Sequence, residues 1–221
     1  MTLKEERELK KKKKMEEEMA RVEAMFEYEK QYPDCKYIAG IDEVGRGPLA
    51  GPVVTCCIIM PKDIRIPYVN DSKKVTKKRR EMLYDIIMEK AIAVSIGIND
   101  EKRIDEINIL QATYEAMRQA INNLEVKPDI LLNDAVTIPE VDIPQIPIIK
   151  GDAKSFTIAC ASIIAKVTRD RLMEDYDKEY PGYGFSKNMG YGTKEHTDAL
   201  RKLGPCKIHR RSFIKNFVNE K

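Results

Sequence analysis

The segment that most constrains this chain is residues 37–60, in which two apolar stretches flank an acidic pair and a glycine-rich turn. The first stretch is apolar and short, which predicts a buried strand. Asp42 and Glu43 follow it, and the turn that begins at Gly45 is poor in strand formers. Neighbouring side chains in a flat strand point to opposite faces. We therefore expect the strand to break up here, which would let both carboxylates share one site. The alternative is a surface acidic pair before an ordinary hairpin.

Length and composition indicate a globular protein. A chain of 221 residues can bury one full core and leave some length for an appendage. The charged fraction of 34%, beside 43% hydrophobic residues, predicts a soluble protein with a highly charged surface. No apolar run approaches the ~20 residues that span a bilayer, and the first residues lack the apolar centre of a signal peptide. Five cysteines without a C-x-x-C pair predict reduced thiols in a cytoplasmic protein.

Residues 1–35 predict a charged helical extension. Residues 1–30 carry nine basic and nine acidic side chains, so the segment is neutral overall. Apolar residues recur at helical spacing between Met15 and Phe26. We expect one helix from about residue 3 to residue 31 that docks through its second half. A run of five lysines within it could contact phosphates, but the flanking acids favour a solvated helix face.

Helical and strand patterns alternate along residues 36–180, the predicted core. Beyond the opening hairpin, the predicted elements are a helix at residues 76–90, a strand at 91–98, an amphipathic helix whose apolar stripe covers 110–124, a strand at 129–133, a short strand at 148–149 and a long helix opening at 151–152. This order predicts an α/β fold, a mixed β-sheet flanked by helices. Residues 181–221 follow as a basic segment with short helices near residues 194–203 and 211–218.

Four acids fall at comparable places in this pattern. Asp42 and Glu43 end the first strand, Asp134 ends the fourth, and Asp152 opens the helix after the fifth. If these ends converge, they form a cluster of oxygen ligands, which suits Mg²⁺ or Mn²⁺ and suits zinc or copper poorly. Taken singly, Asp152 could be a helix cap and Asp134 a turn residue.

Five stretches of the chain, in the expected order from about Tyr37 onwards, resemble ribonuclease HII. They are DEVGRGPLAGPVV (42–54), DSKK (71–74), KGDAKSFTIACASIIAKVTRDR (150–171), GYGFSKNMGYGTKEH (182–196) and GPCKIHRRSF (204–213). The resemblance implies a ribonuclease H-like sheet with a small C-terminal helical segment. It also implies a metal-dependent endonuclease that cuts on the 5′ side of ribonucleotides in duplex DNA and in RNA–DNA hybrids. Such an enzyme leaves a 3′-hydroxyl and a 5′-phosphate and removes misincorporated ribonucleotides. The N-terminal helix lies outside the match.

The resemblance also assigns roles to individual residues. The family's metal-binding acids, which hold two Mg²⁺ or Mn²⁺ ions, correspond to the four acids identified above: Asp42, Glu43, Asp134 and Asp152. Its glycine-arginine-glycine motif, which senses the 2′-hydroxyl, corresponds to Gly45, Arg46 and Gly47. Its tyrosine at the RNA–DNA junction best matches Tyr191.

Basic residues predict the contacts with nucleic acid, the expected partner. From Ser186 to Lys221 there are nine basic and three acidic side chains, which suits a duplex backbone. Four further residues near the proposed site are predicted to bind phosphates: Lys73, Lys74, Lys154 and Ser155. The alternative for most of these lysines is a solvated surface. We expect a monomer with no membrane contact.

Two other functions remain compatible with the sequence. One is a non-catalytic nucleic-acid-binding protein whose acids merely cap elements. The other is a two-metal nuclease of different specificity, such as an exonuclease. Covalent catalysis is not favoured, because the only histidines are His196 and His209 and no serine or cysteine has an evident base.

Overall fold

The computed structural model describes residues 2–218, which fold around one five-stranded sheet. The strands are β1 (Ile38–Val44), β2 (Val53–Ile59), β3 (Ala93–Asn99), β4 (Ile130–Asp134) and β5 (Gln145–Ile148). Their spatial order is β3-β2-β1-β4-β5. The first three pair antiparallel, whereas β4 and β5 continue the sheet in parallel with β1. The predicted mixed sheet is therefore confirmed.

Helices cover both faces of the sheet. They are α1 (Leu3–Ala24), α2 (Lys77–Lys90), α3 (Glu101–Asn122), α4 (Gly151–Lys154), α5 (Phe156–Glu179), α6 (Phe185–Asn188), α7 (Lys194–Leu203) and α8 (Arg211–Ile214). The end of α1, α2 and α5 pack on one face, and α3 packs on the other. Within residues 2–218, no helix is both long and apolar enough to cross a membrane.

Several predicted boundaries were wrong. The third helix begins at Glu101, before its apolar stripe, and bends at Asn108, which has φ 66°. The short strand ends at Ile148, and Ile149 beyond it is 72% exposed. The last helix ends at Ile214, four residues earlier than the pattern indicated within the described part of the chain.

The long helix α5 lies directly on β1. At Gly40 a Cβ atom would stand 2.5 Å from the carbonyl carbon of Thr157, so only glycine permits this approach. The sequence predicted one helix from residue 151 onwards, but the structure has two. Ser155 separates α4 from α5, and its hydroxyl accepts a hydrogen bond from the N–H of Ile158 as the N-cap of α5.

The N-terminal extension is tied to the start of α5. The first helix ends at Ala24, not near residue 31, and the chain turns back along the core. Phe26 stacks on Phe156 with ring centroids 4.6 Å apart. The buried carboxylate of Glu29 accepts hydrogen bonds from the Ser155 hydroxyl at 2.7 Å and the Thr157 N–H at 3.0 Å. Residues 25–29 thus help to fix the junction between α4 and α5.

Truncation should separate the two parts of this extension. A chain that begins at Glu17 loses an almost wholly exposed stretch of α1 and keeps Glu18, which binds the N–H of Tyr68, so we expect wild-type thermal stability and cleavage. A chain that begins at Gln31 loses Phe26 and Glu29, leaving two buried donors without partners at roughly 1–3 kcal/mol each. We expect a clearly lower melting temperature with cleavage retained at low temperature. Thermal melts and cleavage rates at 20 °C or so check this, and a folded but inactive protein starting at Gln31 would contradict it.

The C-terminal residues form a separate apolar cluster against the turn that follows β1. Tyr183, Phe185 and Leu200 pack there with Leu49 and Met173. The short segment at residues 208–210 runs beside residues 49–51, joined by N–H to carbonyl bonds in both directions. The division into residues 1–35, 36–180 and 181–221 stays a prediction.

Candidate active site

The acidic pair lies inside β1, so the prediction that the strand breaks up at the acids was wrong. β1 remains paired with β2 through Val44, opposite Val54. Its parallel pairing with β4, however, ends at Ile41 opposite Asn133. From Asp42 onwards the β4 side of the strand is therefore open. Because no strand covers this edge, side chains from both faces of β1 can approach it. Such an edge allows neighbouring acids of an intact strand to face one site.

Asp134 and Asp152 meet the acidic pair at this edge. Continuing the parallel register by one residue brings Asp134 level with Asp42, on the same face of the sheet. The carboxylate of Asp134 accepts a hydrogen bond from the N–H of Gly151 at 2.6 Å, which holds the first turn of α4 against β4. That turn carries Asp152, whose side chain is largely buried.

The pKa shifts of these acids indicate that the acids lie near one another. Burial, and after it the charge of Glu43, raises the pKa of Asp42 well above its ordinary value, and Asp134 adds to the rise. Burial also raises the pKa of Glu43, where Arg46 opposes and Asp134 reinforces the shift. The pKa of Asp152 is raised by burial, then by Asp71 and Asp134. Asp134 thus acts on all three of the others.

The donor set fits a hard divalent cation, although the cage is not preassembled. No group of three or more acids, histidines or cysteines among residues 2–218 is arranged to hold an ion. Two of the carboxylates accept hydrogen bonds from nearby backbone N–H groups instead. Asp42 accepts from Glu43, and Asp134 accepts from Gly151. One buried oxygen of Glu43, Oε2, has no hydrogen-bond partner in the part of the chain that the structure describes. A buried, unpaired carboxylate oxygen among mutually repelling acids is what a cation would satisfy.

Two residues at this site were missed by the sequence analysis. Asp71 raises the pKa of Asp152, and it stands in the DSKK stretch, where only the lysines were singled out. Ser162 lies at the carboxylate of Asp42, whose raised pKa it partly lowers, and its hydroxyl is 2.9 Å from that of Ser72. A lone serine on an otherwise apolar buried helix was the available signal.

The glycine-arginine-glycine loop lies directly after the acids. Gly45 is buried and has φ +96°, a conformation that favours glycine. Arg46 and Gly47 are exposed, and the Arg46 guanidinium lies 3.4 Å from Glu43. A Cβ at Gly47 would lie 3.8 Å from the ring of Tyr191, which is 43% exposed. The tyrosine ring therefore stands beside the loop, although 144 positions separate it from Gly47 in the chain.

The predicted phosphate contacts divide into exposed lysines and a buried serine. Lys73 is exposed and its ammonium lies 3.8 Å from the carboxylate of Asp152. Lys74 and Lys154 line one shallow pocket of about 480 Å³ together with Arg21 of α1. Ser155 is fully buried, and its hydroxyl donates to Glu29 and caps α5. A role for Ser155 in phosphate binding stays a prediction.

Known proteins resemble this chain over most of its length. A sequence model described as Ribonuclease HII matches residues 39–216. Ribonuclease HII of Lachnoclostridium phytofermentans is 66% identical over 206 residues, which cover 93% of this chain and 81% of that protein. Ribonuclease HII of Acetivibrio thermocellus is 56% identical over 211 residues, covering 95% of this chain and 82% of that protein.

Solved structures agree with the fold. The ribonuclease H2 of Pyrococcus horikoshii OT3 is 30% identical with a TM-score of 0.66, covering 80% of this chain and 93% of that one. The ribonuclease HII of Archaeoglobus fulgidus, solved as a complex with PCNA, is 25% identical with a TM-score of 0.68, covering 83% and 98%. The sheet is thus of the ribonuclease H type, as expected. The chain belongs to the ribonuclease HII family and is a ribonuclease H endonuclease.

Proposed function

We propose that this enzyme hydrolyses the phosphodiester on the 5′ side of ribonucleotides embedded in duplex DNA and in RNA–DNA hybrids, leaving a 3′-hydroxyl and a 5′-phosphate. Its role would be to remove misincorporated ribonucleotides from DNA. The observation that carries the proposal is the exposed loop of Arg46 and Gly47, which directly follows Asp42 and Glu43 and lies beside the Tyr191 ring. A sugar bound across the surface formed by loop and ring would have its 5′ phosphate near these carboxylates.

The four acids, Asp42, Glu43, Asp134 and Asp152, are proposed to hold two Mg²⁺ or Mn²⁺ ions. Such ions, when bound, activate the attacking water and neutralise charge on the reacting phosphate and the leaving oxygen. The protein fixes the carboxylates through the Gly151 N–H, the Glu43 N–H and Ser162. Lys73, exposed beside Asp152, is placed to hold a phosphate oxygen.

The histidines do not offer a competing mechanism. His196 and His209 are 0% and 1% exposed, and their Nε2 atoms lie 3.1 Å apart in the C-terminal cluster. Neither ring can reach a substrate phosphate, so neither can serve as the general base. We therefore propose that cations bound by the four acids take the place of a general base.

The deciding experiment uses end-labelled duplexes. One carries a single ribonucleotide, one is all DNA, and one is an RNA–DNA hybrid. We expect a single cut 5′ of the ribonucleotide, dependent on Mg²⁺ or Mn²⁺, and no cut in all-DNA duplex. Stepwise shortening from an end would indicate an exonuclease. Binding without cleavage in either metal would indicate a non-catalytic nucleic-acid-binding protein.

Substitutions at Tyr191 should test the sugar contact. We expect Tyr191→Phe to stay active because the ring is kept, and Tyr191→Ala to lose cleavage at single ribonucleotides more than within longer RNA. Stacking of an aromatic ring on nucleic acid contributes roughly 1–3 kcal/mol, or ~5- to 150-fold in rate. The measurement is kcat/KM of both variants on both substrates, with thermal melts as control. An equal loss on both substrates with a lowered melting temperature would assign Tyr191 a packing role.

The cellular setting is also proposed. All five cysteines are free thiols, which fits a reducing compartment such as the cytoplasm. A monomeric state stays a prediction, tested by light scattering at micromolar concentration.

A further inference from the structure

Two arginines are fully buried in this protein without a carboxylate partner. Arg169 and Arg210 are both 0% exposed, and neither forms an ion pair within residues 2–218. Each of their guanidinium nitrogens donates to a backbone carbonyl instead. Burying an unpaired charge is costly unless every donor is satisfied. The carbonyls that these arginines bind are therefore held firmly, and their location decides what the arginines do.

Arg210 binds the carbonyls of the glycine-arginine-glycine loop. Its Nη2 donates to Gly45 O at 2.5 Å and its Nη1 to Arg46 O at 2.9 Å, while Nε donates to Gly51 O at 2.9 Å across the turn. In a trans peptide the C=O and the following N–H point in opposite directions. Since both carbonyls face Arg210 inside the protein, the N–H groups of Arg46 and Gly47 face outwards.

Those two N–H groups form a donor pair. In the described part of the chain neither one donates to a protein acceptor, and both residues are exposed. Successive outward N–H groups make a small concave site for an anion or a hydroxyl oxygen. Arg210 thereby sets the orientation of the groups proposed to read the ribose 2′-hydroxyl.

His209, the residue before Arg210, is connected to the backbone of Tyr191 by hydrogen bonds. The N–H of Cys206 donates to His209 Nδ1 at 3.0 Å, so this nitrogen is unprotonated and the proton lies on Nε2. His209 Nε2–H then donates to His196 Nε2 at 3.1 Å. That leaves His196 protonated on Nδ1, from which it donates to the carbonyl of Tyr191 at 2.9 Å. One continuous chain of hydrogen bonds thus runs from His209 to the backbone of Tyr191.

We propose that the adjacent residues His209 and Arg210 are positioning residues that hold the ribose-reading amides and the Tyr191 ring at a fixed spacing. Their Cα atoms are about 3.8 Å apart, so one peptide links the support of the loop to the support of the ring. The segment is itself anchored, because Arg210 N–H donates to Leu49 O at 2.9 Å and Gly51 N–H to Ile208 O at 2.9 Å. This inference rests on the proposed function, since it assumes that loop and ring together bind the sugar at the cleavage site.

Lysine in place of each arginine gives a matched pair. Arg169 is equally buried and packs against Gly45, but it binds the carbonyls of Ala50, Pro52 and Met189 and none in the loop from Gly45 to Gly47. A lysine ammonium keeps the charge but cannot reproduce the planar fork that orients several carbonyls. We expect both Arg210→Lys and Arg169→Lys to lower the melting temperature. Arg210→Lys should lower kcat on the single-ribonucleotide duplex by on the order of 10- to 50-fold and Arg169→Lys by clearly less, with binding of all-DNA duplex unchanged in both.

A double-mutant cycle tests the second half of the proposal. If His209 acts through Tyr191, then His209→Gln should lower cleavage in the wild-type background and add little once Tyr191→Ala is present. Additive losses in the cycle, or equal falls in kcat for the two lysine variants, would overturn the inference. The wild-type protein in the same assay distinguishes this from failure of the proposed function. If it cuts all-DNA duplex or does not cut at a ribonucleotide, the proposed function fails whatever the variants do.

Discussion

Asp42→Asn and Asp134→Asn are each expected to remove nearly all cleavage while leaving the protein folded. Asparagine has the shape of aspartate but lacks the charge that two divalent ions require. The loss should be on the order of 10³-fold or more in kcat, since metal ions contribute several kcal/mol to transition-state stabilisation. Asp152→Asn should lose less, because Asp71 lies beside it as a second carboxylate.

Stability should move in the opposite direction from activity. Asp42 is buried and its raised pKa means that the folded protein disfavours the charged form. A neutral asparagine relieves the burial penalty and the repulsion from Glu43, so Asp42→Asn should melt at or above the wild-type temperature without metal. Added Mn²⁺ should raise the melting temperature of the wild type and not of the variant. These melts separate loss of the ion from loss of the fold.

An acid at the other end of the sheet supplies the control. Asp142 is exposed in the loop before β5, away from the edge that carries the active site. Asp142→Asn should leave cleavage, melting and the response to Mn²⁺ unchanged. Near wild-type turnover of Asp42→Asn at saturating metal would exclude the proposed site.

The position of Asp134 was predictable because it ends β4, and local sequence shows strand ends well. The point at which β1 ends was not predictable from local sequence. Gly45 indicated a break, but Thr55 and Val54 of β2 pair with Glu43 and Val44 and keep the strand extended. That partner is supplied by the hairpin, and local propensity does not reveal how far a ladder continues.

Burial explains the other differences. Ser155 follows Asp152 and Lys154 at the start of a helix, a position that is typical of a phosphate site. The side chain of Glu29, which lies 126 residues earlier in the sequence, covers the Ser155 hydroxyl instead. Arg210 lies in the basic segment from Ser186 onwards, whose composition suits a duplex backbone, but its side chain is fully buried. Whether a polar side chain meets solvent depends on contacts that are distant in sequence, which composition and periodicity do not encode.

Two glycines of the loop should respond differently to alanine. At Gly45 a Cβ would lie 2.3 Å from Nε of Arg169 and 2.6 Å from the carbonyl of Pro52, and the φ of +96° is unfavourable for any other residue. Gly45→Ala should therefore lower the melting temperature, and its loss of activity would carry no information about the substrate. Gly47 has room, since its Cβ would meet only the Tyr191 ring, at an ordinary 3.8 Å.

Gly47→Ala is consequently the sharper test of where the ribose binds. We expect wild-type melting and wild-type binding of all-DNA duplex, because the methyl group clashes with nothing in the protein. The same methyl group would project from the loop beside Tyr191, on the surface where the sugar is proposed to bind. A displacement of about 1 Å at a reacting centre can cost 10²-fold, so kcat/KM at a single ribonucleotide should fall by on the order of 10²- to 10³-fold. Unchanged cleavage by a fully folded Gly47→Ala protein would mean that the 2′-hydroxyl is read elsewhere, because a sugar in contact with the loop at Gly47 cannot tolerate the added carbon.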